Sequence, residues 1–163
     1  MSLAHFIRDS LAMPAWVVEK FLEDLSDADL LVRPAEGMNH VAWQLGHLIV
    51  SERRQVEAVR AGSMPPLPAG FAERHSKEGV LSDRPDGFET KARYVAVMRE
   101  QRAGLLAVLT SLSDEDLLGP PPESLSYFGP NLGCVFTGQV THWMMHLGQW
   151  SVVRRRLGKP RIM

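Results

Sequence analysis

The sequence predicts an all-α protein, a four-helix bundle formed by one domain over residues 1–163. Apolar residues recur at helical spacing in four long stretches, and no stretch shows the alternation expected of a strand. A long segment rich in proline and glycine separates the second stretch from the third, as in bundles with a crossover connection. A chain of 163 residues is long enough to bury a core without a disulfide or a metal.

The first two predicted helices differ in how clearly their ends are marked. The first runs roughly from Ser2 to Asp24, and Pro14 is expected to kink or split it because proline lacks a backbone donor. The second begins near Asn39, a plausible N-cap, and runs to about Arg60.

The last two predicted helices follow the crossover. The third spans about Gly87–Ser111, and the fourth spans Gly133–Leu157 and ends before Gly158. The crossover that precedes them is about 25 residues long, which is typical of a functional loop or a connection across the bundle.

The chain also contains an internal echo. The sequence Leu-Ser-Asp-Ala-Asp-Leu-Leu at 25–31 returns as Leu-Ser-Asp-Glu-Asp-Leu-Leu at 112–118, and a Gln-x-x-His spacing occurs at both 44–47 and 139–142. Such turns are common, so chance is one interpretation. The other is two helical hairpins related by a pseudo-twofold axis, which would place His47 opposite His142.

Composition excludes several classes of function. Eighteen basic and nineteen acidic residues give a net charge of −1, which argues against nucleic acid as a partner. The single cysteine, Cys134, excludes an intramolecular disulfide and any multi-cysteine metal site. The N-terminal stretch is too charged for a secretory signal, and apolar runs of about five residues are too short for a membrane span, so we expect a cytoplasmic protein without membrane contact.

Three of the six histidines have spacing that suggests a metal site. His142 and His146 lie four residues apart and therefore share one face of the fourth helix, while His47 lies on the second helix. Three imidazoles from facing helices form a three-ligand site with open positions, which is the pattern of catalytic metal sites. The alternative is that these are hydrogen-bonded core histidines. There is no glutamate between His142 and His146, so the pair is not the H-E-x-x-H motif.

The remaining candidates carry weaker signals. Gly138, one turn before His142, is expected to leave space beside the site, and Cys134 is expected to lie too far along the helix to join a metal. His40 is interpreted as a helix-start residue, and His5 and His75 as surface residues.

On these residues the chain resembles the DinB-like superfamily, also described as YfiT-like metal-dependent hydrolases. The resemblance rests on His47 in Trp-Gln-Leu-Gly-His-Leu, on the distal pair His142 and His146, and on the long crossover, and it covers essentially the whole chain. It implies an up-down-down-up bundle, a divalent metal such as zinc or nickel on His47, His142 and His146, and a homodimer.

The resemblance also implies a chemistry. Similar proteins include S-transferases that use bacillithiol or mycothiol, so the expected substrate is an electrophilic small molecule and the expected co-substrate is a low-molecular-weight thiol. Gln44, Gln139 and Gln149 are candidates for orienting a ligand histidine or a bound cofactor, and core packing is an equal alternative for each. A metal-dependent hydrolase and a non-catalytic stress-response protein remain the other functional hypotheses, and no catalytic residue beyond the metal ligands is assigned.

Overall fold

The computed structural model describes residues 2–76 and 87–162. Over these ranges the regular structure is entirely helical, which confirms the all-α prediction. The elements in chain order are α1 (Leu3–Leu22), α2 (Val41–Val59), the short α3 (Phe71–Arg74), α4 (Lys91–Thr110), the short α5 (Asp114–Leu118) and α6 (Gly133–Arg156), with 3-10 turns at Asp29–Leu31 and Glu123–Phe128.

Side-chain contacts at the helix ends define an up-down-down-up topology. Arg154 near the end of α6 donates to the Phe21 carbonyl near the end of α1, and Gly133 at the start of α6 lies beside Ile7, so these two helices are parallel. Gln44 contacts Trp150 while Gln55 contacts Gln139, which makes α2 antiparallel to α6.

The orientation of α4 follows in the same way. The Lys91 ammonium at its start donates to the Leu22 carbonyl at the end of α1, at 3.0 Å, so α4 is antiparallel to α1. Consequently α2 and α4 run in the same direction, and the topology agrees with the one that the family resemblance implies.

Two helix details refine the predictions. Of the two effects expected of Pro14, a split does not occur, because α1 continues through Pro14, which is buried. The helix tolerates the missing donor because it costs one hydrogen bond while the ring adds to the packed face. The N-cap of α2 is His40 rather than Asn39, and its Nδ1 accepts the Trp43 backbone N–H at 3.1 Å.

The two Leu-Ser-Asp copies form the same local structure. In each copy a serine and the aspartate three residues later each accept the other's backbone N–H through a side-chain oxygen. The Ser26 and Asp29 pair leads into the 3-10 turn that begins at Asp29, and the Ser113 and Asp116 pair caps α5. These reciprocal caps satisfy donors that would otherwise be unpaired at a helix start. The echo in the sequence is therefore an echo in structure.

The core fills the space between the four long helices. Its largest fully buried side chains come from several elements: Trp143, Trp150, Tyr94, Phe71 and Phe136. The start of the crossover is fixed across α2 and α4 because the Pro65 carbonyl accepts from Arg53 and from Gln101, each at 3.0 Å. Residues 77–86, which complete the predicted crossover, lie outside the described residues. In the described part of the chain no helix is long and apolar enough to cross a membrane.

Candidate metal centre

The fold brings together the three histidines that the spacing singled out. One ring nitrogen from each of His47, His142 and His146 lies within 4.8 Å of the others. The ring centroids of His142 and His146 are 5.2 Å apart. The centroid of the His47 ring lies 5.3 Å from that of His142 and 5.6 Å from that of His146. The i,i+4 pair on α6 therefore faces the single histidine on α2, as the predicted pseudo-twofold requires.

Partial burial keeps the two histidines of α6 uncharged. Desolvation lowers the pKa of His142, and desolvation together with the neighbouring His142 and His47 lowers the pKa of His146 to about 4. Both imidazoles are consequently neutral near pH 7, the form in which histidine binds a metal.

Gln44 sets the orientation of His146. The Gln44 side-chain oxygen Oε1 lies 2.8 Å from Nδ1 of His146 and also accepts the Trp150 indole N–H at 3.0 Å. The amide nitrogen of Gln44 donates to the Asn39 carbonyl at 2.5 Å, which identifies the other amide atom as the acceptor. The proton of neutral His146 therefore lies on Nδ1, and Nε2 is the nitrogen with a free lone pair.

Trp43 orients His47 from the other side of the site. The indole of Trp43 stacks on the His47 ring with centroids 4.9 Å apart and planes 8° from parallel. The Trp43 indole N–H donates to the Ser76 carbonyl at 3.1 Å, so the end of the described crossover holds this aromatic ring in place.

His75 is a structural residue that the sequence interpretation placed wrongly at the surface. It is 2% exposed, donates through Nδ1 to the Phe71 carbonyl at 2.6 Å, and accepts the Tyr94 hydroxyl at Nε2 at 2.7 Å. The ring lies against Gly46, where an added Cβ would stand 2.1 Å from His75 Cδ2. An isolated glycine in the middle of α2 was the available signal, because such a position often marks a close approach.

Gln139 and Gln149, the other two glutamines predicted to orient a ligand, differ in burial and in side-chain hydrogen bonding. Gln139 is 1% exposed and donates to the Gln55 side chain and to the Val135 carbonyl, so it forms a buried bridge between α6 and α2 one turn from His142. Gln149 is half-buried on α6, and its side chain has no hydrogen-bond partner in the described part of the chain.

The space predicted beside Gly138 is filled. An added Cβ at this position would lie 2.3 Å from Phe128 Cδ1, because the turn at Glu123–Phe128 presses that ring against α6. Gly138 therefore serves the packing of an aromatic side chain. It does not provide an open pocket.

Glu52 and Arg102 form a buried ion pair that the sequence analysis did not predict. Glu52 is 1% exposed and accepts from Arg102 at 2.7 Å and from the Trp143 indole at 2.9 Å. Burial raises the pKa of Glu52 while Arg102 and the indole oppose this shift. Acidic and basic residues inside helical stretches usually lie on the solvated face, so the pattern gave no sign that these two meet.

Comparison with known proteins identifies the family and the fold of this chain. The family model of the DinB superfamily matches residues 17–150. The chain belongs to the DinB superfamily. A solved structure of a conserved protein from Enterococcus faecalis has the same fold, with a TM-score of 0.74 at 17% identity, and the alignment covers 98% of this chain and 99% of that one. No curated protein matches the sequence significantly.

The residues of this DinB-superfamily chain fit a divalent metal. A donor set of three imidazoles suits a divalent transition metal, and an outer hydrogen bond such as the one that His146 Nδ1 donates to Gln44 Oε1 is typical of metal-ligating histidines. Cys134 does not join the group. Its thiol donates to the Asn131 side chain at 3.0 Å near the start of α6.

Proposed function

We propose that this chain is a metal-dependent transferase that joins a low-molecular-weight thiol to an electrophilic small molecule. The observation that carries the proposal is the cluster of three half-buried histidines that each bring one ring nitrogen within 4.8 Å of the others, since the described residues supply three ligands and a tetrahedral ion takes four. The fourth position is then open to an exogenous group, which is the arrangement of catalytic sites.

A divalent ion at this position would lower the pKa of a thiol, so that a thiolate is present at neutral pH. His47, His142 and His146 would hold the ion, with His146 contributing Nε2 because Gln44 occupies its Nδ1. Trp43 stacks on His47 and restricts the rotation of that ring. The sulfur would form a bond to the electrophilic carbon, and the leaving group would depart with the bonding electron pair.

The thiol is proposed to be a co-substrate because the protein's own thiol is distant. Cys134 precedes His142 by eight residues on the same helix, about 12 Å along its axis. Its hydrogen bond to Asn131 also directs it toward the loop before α6. A nucleophilic sulfur at the histidine cluster must therefore be supplied from solution.

Metal content is the first test. The purified protein is expected to contain close to one divalent ion per chain, and H47A is expected to lose most of it. The matched control is H5A, because His5 is an exposed histidine on α1 that contacts Asp9 and not the cluster. Full metal retention in H47A would contradict the assignment of His47 as a ligand.

Activity measurements separate the reaction types. The metal-loaded protein is mixed with 1-chloro-2,4-dinitrobenzene and with bacillithiol, mycothiol or cysteine, and both thiol consumption and chloride release are followed. The proposal expects the two to rise together and to fall in H47A but not in H5A. Product release without added thiol would indicate the hydrolase, and loss of neither thiol nor electrophile across a wider panel would favour a binding protein.

A further inference from the structure

We propose that Trp150 is a positioning residue of the histidine cluster, which acts through Gln44 to fix the nitrogen of His146 that carries the proton. Its relevance to catalysis rests on the proposed metal function. The position of the proton, however, is a property of the metal-free chain and can be measured whether or not the protein is a transferase.

The Gln44 amide is held in one orientation because one of its two partners is a hydrogen-bond donor and the other is an acceptor. Its oxygen accepts the Trp150 indole N–H at 3.0 Å, and its nitrogen donates to the Asn39 carbonyl at 2.5 Å. Rotating the amide by half a turn would place N–H against N–H at Trp150 and oxygen against oxygen at Asn39. Each of these contacts would leave a buried polar group without a partner.

Burial of Gln44 and Trp150 prevents the Gln44 amide from adopting the reversed orientation. Gln44 is 1% exposed and Trp150 is fully buried, so water does not replace a lost partner at either group. Because the fixed amide presents its oxygen to His146, the imidazole must present an N–H in return. The tautomer with the proton on Nδ1 follows, and it leaves Nε2 as a ligand.

Removing the indole N–H weakens one of the two constraints. In W150F the amide nitrogen can turn toward His146 without opposing another donor. His146 would then accept at Nδ1 and carry its proton on Nε2, where the proton blocks metal binding through that atom. We expect the metal-free variant to contain a mixture of the two tautomers and its zinc affinity to fall by about tenfold or more.

The control is W143F. Trp143 is also a buried tryptophan of α6 with a hydrogen-bonded indole, but its N–H donates to Glu52 and not to Gln44. Both variants lose one buried hydrogen bond and part of an aromatic ring. Only W150F is expected to change the tautomer of His146.

The experiment measures the imidazole ¹⁵N shifts of His146 in metal-free protein at pH 8, together with zinc affinity by chelator competition. Wild-type protein is expected to show a protonated Nδ1, W143F the same pattern, and W150F a mixture. The double variant Q44E/W150F is expected to restore the wild-type tautomer, because a carboxylate offers His146 an acceptor and no N–H.

Three results would overturn the proposal. The first is a wild-type His146 protonated at Nε2, which can be read even if W150F does not fold. The second is a W150F protein with the wild-type tautomer and wild-type zinc affinity, and the third is the same tautomer change in W143F. If no variant binds zinc, the metal-dependent function fails while the shifts still test the role of Trp150.

Discussion

At the scale of single residues, Gly46 shows how closely the crossover packs against the helix that carries His47. The His75 ring occupies the position where a side chain at residue 46 would begin. Glycine is unfavourable inside a helix by about 1 kcal/mol relative to alanine. Its presence here is explained by the contact with His75 rather than by the needs of α2 itself.

This contact predicts opposite effects for two glycine substitutions. G46A is expected to destabilise the protein by about 1–3 kcal/mol, because the new methyl group must displace a buried ring. G148A on α6 is the matched control, since a Cβ there meets nothing within 4 Å, and it is expected to stabilise by up to about 1 kcal/mol. Urea unfolding of the two variants checks both signs, and a neutral or stabilising G46A would contradict the close packing.

At the scale of elements, α3 is a helix of four residues, Phe71–Arg74, that is held by contacts outside itself. His75, which follows it, is fixed between the Phe71 carbonyl and the Tyr94 hydroxyl of α4. Burial lowers the pKa of His75 to about 4 from its ordinary value of 6.5. Protonation of this one side chain would therefore oppose the docking of the whole element.

The shifted pKa predicts an acid-sensitive contribution to stability. Between about pH 6.5 and pH 4 the unfolded chain binds a proton at His75 that the folded chain does not, so the contribution is complete above pH 6.5 and is lost as the pH falls toward 4. In the presence of a chelator, the stability difference between wild-type protein and H75Q is expected to shrink by about 1.4 kcal/mol per pH unit in this window. A difference that does not change with pH would contradict the shift.

The long and short elements were not equally predictable. The apolar period of α1, α2, α4 and α6 extends over five turns or more, so the sequence predicted all four with ends correct to within a few residues. A four-residue helix has no measurable period, and the residue that follows α3, His75, bonds to a partner nineteen residues further along the chain.

Some features of the candidate site were predictable from the sequence and others were not. The i,i+4 spacing of His142 and His146 is visible in the sequence, and the sequence analysis also grouped this pair with His47. The roles of Trp43, Trp150 and Ser76 were not visible, because each depends on how two separate segments meet.

At the scale of the whole molecule, Glu52, Arg102 and Trp143 join α2, α4 and α6 at the centre of the bundle. The carboxylate and the guanidinium are both largely withdrawn from water, with side-chain exposures of 2% and 11%. Removing one partner of a buried pair leaves an uncompensated charge, and this is usually more costly than removing both.

This predicts a non-additive pair of substitutions. R102M is expected to cost about 3–5 kcal/mol at pH 7, because Glu52 loses its cation. E52Q/R102M is expected to recover most of this loss, since a neutral amide oxygen can still accept the Trp143 N–H. The control E19Q, in the exposed pair of Glu19 and Arg99, is expected to change stability by at most about 1 kcal/mol. Urea unfolding of these variants and of E52Q alone completes the cycle, and strictly additive costs of E52Q and R102M would show that Glu52 and Arg102 are not energetically coupled.

The parallel packing of α1 against α6 has a consequence for how the chain folds during synthesis. Among the described elements α1 packs most extensively on α6, so part of its apolar face stays uncovered until α6 has left the ribosome. His142 and His146 are on that last helix as well. A nascent chain therefore carries a partly uncovered apolar face on α1 and an incomplete histidine cluster until α6 emerges, and both are completed by the same docking event.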